Sequence, residues 1–349
     1  MFQAKLIYLI ILLQFLVQIQ ARSKVPAVIV FGDSSVDAGN NDNIPTIGKS
    51  NFPPYGRDFV GGKPTGRFCN GRLSTDFISE AFGLKSVIPA YLDPKYSIKD
   101  FATGVTFASA GTGLDTVTSD LVSVIPFWKE IVFFKKYVKD LIIFMGEDTA
   151  EITLREAVYI LSIGTNDFLE NYYVLPKRRL QFTVEEYQDF LLGLIKDFVL
   201  EVYKFGARKI ALTGLTAFGC LPLERTTNFI GGHACMEEYN KVARDFNVKL
   251  NKLIPKLNEE LPDITVVYSG VYDILDDAIK NPQKYGFEEV ARGCCGTGAI
   301  ETAILCNKWS LKTCKDASKY IFWDSIHYSE KMNKMVSDFA MKNAFSVFL

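Results

Sequence analysis

Short apolar runs without polar alternation recur along the chain. They are rich in β-branched residues and end in glycine or polar residues, a pattern typical of strands buried on both faces of a parallel sheet. We predict five strands from them, at residues 25–31, 104–108, 157–163, 209–213 and 264–268.

Amphipathic stretches with apolar residues at helical spacing separate these runs. They predict helices at residues 73–82, 183–204, 237–261 and 329–347. Thr183 and Glu186 have the spacing of a capping box at the start of the second helix. Strands that alternate with helices favour one doubly wound α/β domain with a mostly parallel sheet, here over residues 25–349. In such folds ligands bind beyond the carboxyl ends of the strands.

The N-terminal segment has a different pattern. Lys5 precedes an apolar run at 6–17 that is broken only by Gln14, and Ala21 offers a small residue for cleavage. We therefore expect a signal peptide at 1–21 and a secreted, extracellular protein. A membrane anchor is the alternative, but the run is shorter than the roughly 20 apolar residues that a span needs.

Composition narrows the function classes. The formal net charge is -1 over 349 residues, which gives no electrostatic argument for binding nucleic acid or an anionic membrane surface. The 48% of hydrophobic residues, with 27 phenylalanines, can fill a large core.

The cysteine content fits an oxidising compartment. The seven cysteines are Cys69, Cys220, Cys235, Cys294, Cys295, Cys306 and Cys314. We expect Cys220 to pair with Cys235, and the adjacent Cys294 and Cys295 to pair with the two C-terminal cysteines in either arrangement. Cys69 is then left over. A zinc site is disfavoured because no Cys-x-x-Cys and no nearby histidine occur.

Histidine is scarce, and this limits the candidates for a general base. Histidine is the side chain whose unperturbed pKa lies between about 5 and 8, and the chain contains only His233 and His327. Asp324 precedes His327 by three residues, so one turn of chain can hold both side chains together. Ser34 follows the first predicted strand and is the candidate nucleophile. We expect His233 to be structural or exposed.

Polar groups also follow the second and third predicted strands, at 109–111 and 164–167. The backbone N–H groups of Ser34 and Gly111 and the side-chain amide of Asn166 could stabilise an oxyanion. Each of these residues has an ordinary alternative role, since serine and asparagine commonly cap helices or form turns. Together they favour acyl transfer at serine, and no cofactor or metal motif accompanies them.

Six sequence blocks, in this order, resemble the plant GDSL esterase/lipase family of the SGNH hydrolase superfamily. The blocks are Phe31–Asn41, Pro53–Arg57, Gly66–Gly71, Phe107–Gly111, Ile163–Asp167 and Phe322–His327. The chain is most similar to the extracellular or anther-type members. The resemblance implies a flavodoxin-like three-layer α/β/α fold. It also implies Ser34 as nucleophile, His327 as base, Asp324 as its orienting acid, and Ser34, Gly111 and Asn166 as the oxyanion site.

Two positions depart from the family pattern. Tyr328 follows His327 where the family usually has proline, so we expect a less rigid loop. Residues 216–220 read Thr-Ala-Phe-Gly-Cys where Pro-Pro-Met-Gly-Cys is usual, so we expect Phe218 to reshape a pocket wall.

The sequence thus predicts a secreted serine esterase/lipase that hydrolyses small-molecule or lipid acyl esters through an acyl-serine intermediate, in lipid metabolism or degradation. An acyltransferase with the same residues is the first alternative, because only the acceptor of the acyl group differs. A non-catalytic lipid- or glycan-binding protein of the cell wall is the second. The sequence does not predict an oligomeric state.

Overall fold

The computed structural model describes residues 25–349, so the expected signal peptide at 1–21 lies outside the described residues. The central sheet contains β1 (Val28–Gly32), β2 (Gly104–Thr106), β3 (Val158–Ser162), β4 (Lys209–Thr213) and β5 (Thr265–Ser269). Each predicted strand is present, with ends that differ by up to three residues.

The five strands are parallel and lie in the order β2-β1-β3-β4-β5. The chain leaves β1 towards β2 on one side and later returns past β1 to β3 on the other. The loops after β1 and β3 therefore diverge and leave a crevice between them, at the point where ligands bind in this topology. Ser34 follows β1, and Asn166 follows β3, so both lie at this crevice.

Helices cover both faces of the sheet. The α-helices of the described residues are α1 (Ser74–Ala81), α2 (Ile98–Phe101), α3 (Thr116–Asp120), α4 (Phe127–Met145), α5 (Glu147–Glu156), α6 (Pro176–Arg179), α7 (Val184–Lys204), α8 (Pro222–Thr227), α9 (Glu237–Glu260), α10 (Val271–Lys280) and α11 (Glu330–Asn343). The four predicted helices correspond to α1, α7, α9 and α11. The predicted capping box of α7 is present: the Thr183 N–H donates to Glu186 Oε2 at 2.8 Å, and the Glu186 N–H donates to Thr183 Oγ1 at 3.2 Å.

Alternate residues of each strand pack into different cores. On what we call the larger face, Ile29 and Phe31 of β1 pack with aromatic residues of α4, α7 and α9. On the smaller face, Val28 and Val30 pack with α1, the end of α11 and the C-terminal residues Phe345 and Phe348. This confirms the predicted three-layer α/β/α architecture.

A second, two-stranded parallel sheet carries the C-terminal part of the site. It consists of β6 (Glu289–Gly293) and β7 (Tyr320–Phe322). Disulfides Cys294–Cys314 and Cys295–Cys306 close the intervening segment, which resolves the two arrangements left open by the sequence. The predicted Cys220–Cys235 disulfide is present, and Cys69 is a buried free thiol. Between residues 25 and 349, no helix has the length and apolar character needed to cross a membrane.

Candidate active site

The turn after β1 presents Ser34 at the crevice. Gly32 has φ of +142°, and a Cβ at this position would lie 2.0 Å from the carbonyl oxygen of Ser162, so only glycine fits. The Asp33 N–H donates to that same carbonyl at 3.0 Å, and the Val36 N–H donates to the Asp33 carbonyl at 3.1 Å. These contacts hold the turn against β3, with Ser34 8% exposed.

His327 contacts both Ser34 and Asp324. Its Nε2 lies 2.8 Å from Ser34 Oγ, and its Nδ1 lies 2.8 and 2.9 Å from the two carboxylate oxygens of Asp324. The backbone N–H groups of Ile326 and His327 donate to Asp324 Oδ1 at 2.8 and 2.7 Å, so the loop after β7 folds around the carboxylate. The structure thus brings together the serine, histidine and aspartate that the sequence indicates.

Two further side chains, Tyr55 and Thr302, hold the Asp324 carboxylate. The Tyr55 hydroxyl donates to Asp324 Oδ2 at 2.7 Å, and the Thr302 hydroxyl donates to the same oxygen at 3.2 Å. Burial alone would raise the pKa of Asp324, but the charge and hydrogen bonds of His327 and the hydrogen bond from Tyr55 keep that pKa below its usual value. Asp324 therefore stays ionised beside the histidine.

Sequence reasoning missed the contacts of Tyr55 and Thr302. Tyr55 lies inside one of the blocks that carry the family resemblance, where it had no assigned role. A tyrosine that is 1% exposed needs a partner for its hydroxyl, but its burial and its partner only become visible in three dimensions. Thr302 has no recognisable signal in the sequence.

The predicted oxyanion donors lie on three neighbouring loops. Within residues 25–349, neither the Ser34 N–H nor the Gly111 N–H donates a hydrogen bond to another residue. Asn166 Nδ2 donates to the Thr112 carbonyl at 3.0 Å, which orients the amide and leaves its second N–H group available. Ser34, Asn166 and His327 line one cavity. Gly111 has φ of +87°, and a Cβ there would lie 2.8 Å from Val122, so glycine is required for backbone conformation and space.

Residues after Ser34 in the first block hold the Gly111 loop in place. Asp37 Oδ2 accepts the Ala110 N–H at 3.1 Å. The side-chain amide of Asn40 donates to the carbonyls of Thr106 and Ala108 at 3.0 and 2.8 Å. Two of the blocks that carry the resemblance are thus in direct contact, and the first block positions the loop that carries Gly111 as well as Ser34.

Buried carboxyl groups lie behind the site. Burial raises the pKa of Asp33, and the Asp33 carboxylate accepts the Ser35 N–H at 2.9 Å. Glu170 lies in a π-helical segment, Asp167–Tyr172, directly after Asn166. Burial, together with the charges of Asp33 and Asp167, raises the pKa of Glu170 to about 7. Within the described part of the chain, no three His, Cys, Asp or Glu side chains form a group that could hold a metal ion.

The two departures from the family pattern meet in the structure. The hydroxyl groups of Thr216 and Tyr328 are hydrogen-bonded, and both residues line the cavity next to His327. In addition, the Trp323 N–H donates to the His327 carbonyl at 2.7 Å, so contacts on both sides hold this loop without a proline. The expectation for Phe218 was wrong: it stacks on Phe168 in the core, and Thr216 forms the pocket wall instead.

His233 is remote from these groups. It is exposed in the loop closed by the Cys220–Cys235 disulfide, and its Nδ1 lies 3.0 Å from the Arg225 carbonyl. This agrees with the expectation that His233 is exposed and leaves His327 as the histidine at the crevice.

The sequence matches the family model described as GDSL-like Lipase/Acylhydrolase over residues 28–339. The chain belongs to this family. It is 54% identical to the GDSL esterase/lipase At4g26790 of Arabidopsis thaliana, with 98% of each chain covered. It is 53% identical to the GDSL esterase/lipase At2g42990 of the same organism, with 97% of each covered. The predicted enzyme class, a carboxylic ester hydrolase, is thereby confirmed.

A structural relative is more distant. The crystal structure of the acetyl xylan esterase AlAXEase aligns with a TM-score of 0.36 and 12% identity, covering 91% of this chain and 99% of that one. A likeness at this level has no bearing on substrate or mechanism.

Proposed function

We propose that this GDSL hydrolase is a secreted serine esterase/lipase that cleaves acyl esters through an acyl-serine intermediate. Residues 25–349 form its hydrolase domain, and residues 1–21 form a signal peptide that is removed on export. Three disulfides favour an oxidising, extracellular location. The observation that carries the proposal is the continuous chain of contacts from Ser34 through His327 to Asp324.

In the first half-reaction, Ser34 Oγ attacks the ester carbonyl carbon while His327 Nε2 takes its proton. Negative charge develops on the carbonyl oxygen, where the N–H groups of Ser34, Gly111 and Asn166 stabilise it. The carbon–oxygen bond to the alcohol then breaks, and His327 returns the proton to the departing alkoxide.

In the second half-reaction, water attacks the acyl-serine ester. His327 takes the proton of the water and gives it to Ser34 Oγ as the fatty acid leaves. Asp324 keeps the imidazole in the tautomer with its proton on Nδ1 and stabilises the imidazolium that forms in both steps. Lipid esters as substrates would place the enzyme in lipid degradation.

The test is hydrolysis of p-nitrophenyl butyrate by the full-length protein produced in a secretory host. Ser34→Ala and His327→Ala should each lower kcat by several orders of magnitude, because the members of such a triad act as a unit. His233→Ala is the matched control and should keep kcat within about twofold. Near-normal turnover by folded Ser34→Ala protein would refute the mechanism.

The acyltransferase alternative makes a different prediction with the same variants. Added alcohols would divert most of the acyl group from free acid to a new ester, which product analysis detects. A non-catalytic binding protein would give no turnover that depends on Ser34.

A further inference from the structure

A cavity beside Ser34 extends beneath the smaller face of the central sheet. Ser34, Asn166 and His327 line it at the crevice, and Ala340 and Phe345, which pack with Val28 and Val30 on the smaller face, line it away from the crevice. The space between the lining atoms is about 1010 Å³ with the open side included. Most of this space is too tight for a water molecule to move in freely, so the cavity is narrow.

Small residues at the ends of three strands make room for this cavity. Ser162, Thr213 and Ser269 end β3, β4 and β5, and all three line it. They follow by two positions residues whose side chains pack on the smaller face, so they point the same way. The Ser162 and Ser35 hydroxyls are 2.9 Å apart and can hydrogen-bond to each other, which reduces the polarity of this wall.

The opposite wall is mainly apolar, with Ser74 and Thr75 of α1 and Asn333 of α11 as its polar residues. Its apolar part is formed by Ile78 of α1, by Val336 and Ala340 of α11, and by Phe345 after α11. Ile78, Ala340 and Phe345 are at most 4% exposed, so the cavity reaches core residues and does not run along the surface. A narrow, mainly apolar space of this kind suits a flexible hydrocarbon chain better than a bulky polar group.

The chemistry of the proposed reaction decides which part of the ester enters the cavity. The alcohol must leave and water must follow it, so both need the open side. The acyl group stays bonded to Ser34 between the two half-reactions and can occupy a closed space. We propose that this cavity binds the acyl chain and that the substrates are esters of unbranched medium- to long-chain fatty acids. This inference rests on the proposed function.

Filling the cavity should shorten the preferred acyl chain. Ala340→Leu adds volume within it, while Ala344→Leu makes the same change one turn later, at a buried residue that does not line it. Using p-nitrophenyl acetate, butyrate, octanoate and dodecanoate, we expect Ala340→Leu to lower the ratio of kcat/KM for octanoate to kcat/KM for acetate at least about tenfold. Ala344→Leu should leave the ratio of octanoate to acetate unchanged.

Enlarging the far end should have the opposite effect. Phe345→Leu should raise kcat/KM for dodecanoate relative to octanoate several-fold, and Phe348→Leu, a buried neighbour outside the cavity, should not. If acetate is hydrolysed in a Ser34-dependent way but neither Ala340→Leu nor Phe345→Leu changes the chain-length profile, the acyl-cavity assignment is wrong while the proposed function stands. Absence of Ser34-dependent hydrolysis of all four esters would instead overturn the proposed function.

Discussion

The two faces of the central sheet are built from the same strands but are filled differently. On the larger face, the Phe31 ring lies 5.0 Å from Phe198, 5.3 Å from Phe107 and 5.5 Å from Phe134, measured between centroids. On the smaller face, the strands end in small hydroxyl residues and leave a cavity. One face therefore supplies close packing, and the other supplies space next to Ser34.

The packed face also supports the site from behind. Glu130 of α4 is fully buried, and its Oε2 accepts the Gly32 N–H at 2.9 Å, two residues before Ser34. Burial raises the pKa of Glu130 well above its usual value. Close packing on the larger face thus holds the turn that carries Ser34 in place. Residues on the smaller face line the cavity, so substitutions among them can change which substrate is accepted.

Removing a large ring from the larger face should affect stability and leave specificity unchanged. Phe198→Ala should lower the free energy of unfolding by about 3–5 kcal/mol, because it leaves a cavity in an aromatic cluster. Denaturant unfolding measures this loss, and the ester series measures the chain-length profile of the remaining folded enzyme. A changed chain-length profile with an unchanged free energy of unfolding would contradict the assignment of stability to the larger face and of specificity to the smaller face.

At the crevice between the loops after β1 and β3, Asn166→Ala should lower kcat by a factor on the order of 10²–10³, with a smaller change in KM, as for loss of one oxyanion donor. Asn171→Ala is the control. Asn171 is a buried amide in the π-helical segment that follows Asn166, and its Nδ2 donates to Asp115 and Thr118 outside the cavity. Asn171→Ala should lower the free energy of unfolding and leave kcat unchanged. A rise in KM at constant kcat for Asn166→Ala would make Asn166 a substrate-binding residue only.

Much of this arrangement could be predicted from the sequence because it is local. The β-branched strand runs, the Thr183 capping box and the polar groups after β1 and β3 depend on near neighbours along the chain. Helix α4 was missed because its solvent-facing side carries Trp128, Val132 and Ile143, so its apolar stripe has no clear polar counterpart.

Long-range contacts explain the other omissions. The Tyr55 hydroxyl reaches Asp324 across 269 residues, and the contact between Thr216 and Tyr328 spans 112. Neither residue type nor spacing indicates such a pair. The same limit left the pairing of Cys294 and Cys295 open, since both arrangements close loops of ordinary length.

Loss of the Tyr55 hydroxyl should have an intermediate effect. Tyr55→Phe removes a charge-assisted hydrogen bond to Asp324, so we expect kcat to fall about tenfold with little change in KM. Tyr137→Phe is the matched control on the larger face, where the phenol donates to the Phe101 carbonyl at 3.4 Å. It should leave kcat near the wild-type value. Equal losses from both variants would indicate a general effect of buried tyrosines and no positioning of Asp324.

The smallest predicted effect is the change in stability with pH. Burial raises the pKa of Asp37 to about 6 and those of Asp167 and Glu170 to about 7, whereas unfolded carboxyl groups titrate near about 4. Between about pH 4 and 7 the folded state therefore binds more protons than the unfolded state, and stability falls as pH rises. We expect a Tm several degrees lower at pH 7.5 than at pH 5.

Glu170→Gln should make this slope shallower, because an amide does not ionise. Glu147→Gln, at an exposed position, should not change it. A Tm that rises steadily from pH 5 to 7.5 would show that these carboxyl groups are not destabilised as anions in the fold.

The central claim, that Ser34 is the nucleophile activated by His327, is tested most directly by covalent labelling. The purified enzyme is treated with a fluorophosphonate, and the modified residue is identified by peptide mass spectrometry. We expect one phosphonyl group on Ser34, none on Ser34→Ala, and much slower labelling of His327→Ala than of His233→Ala. Labelling of a different serine, or esterase activity that persists in folded Ser34→Ala protein without any label, would contradict the claim.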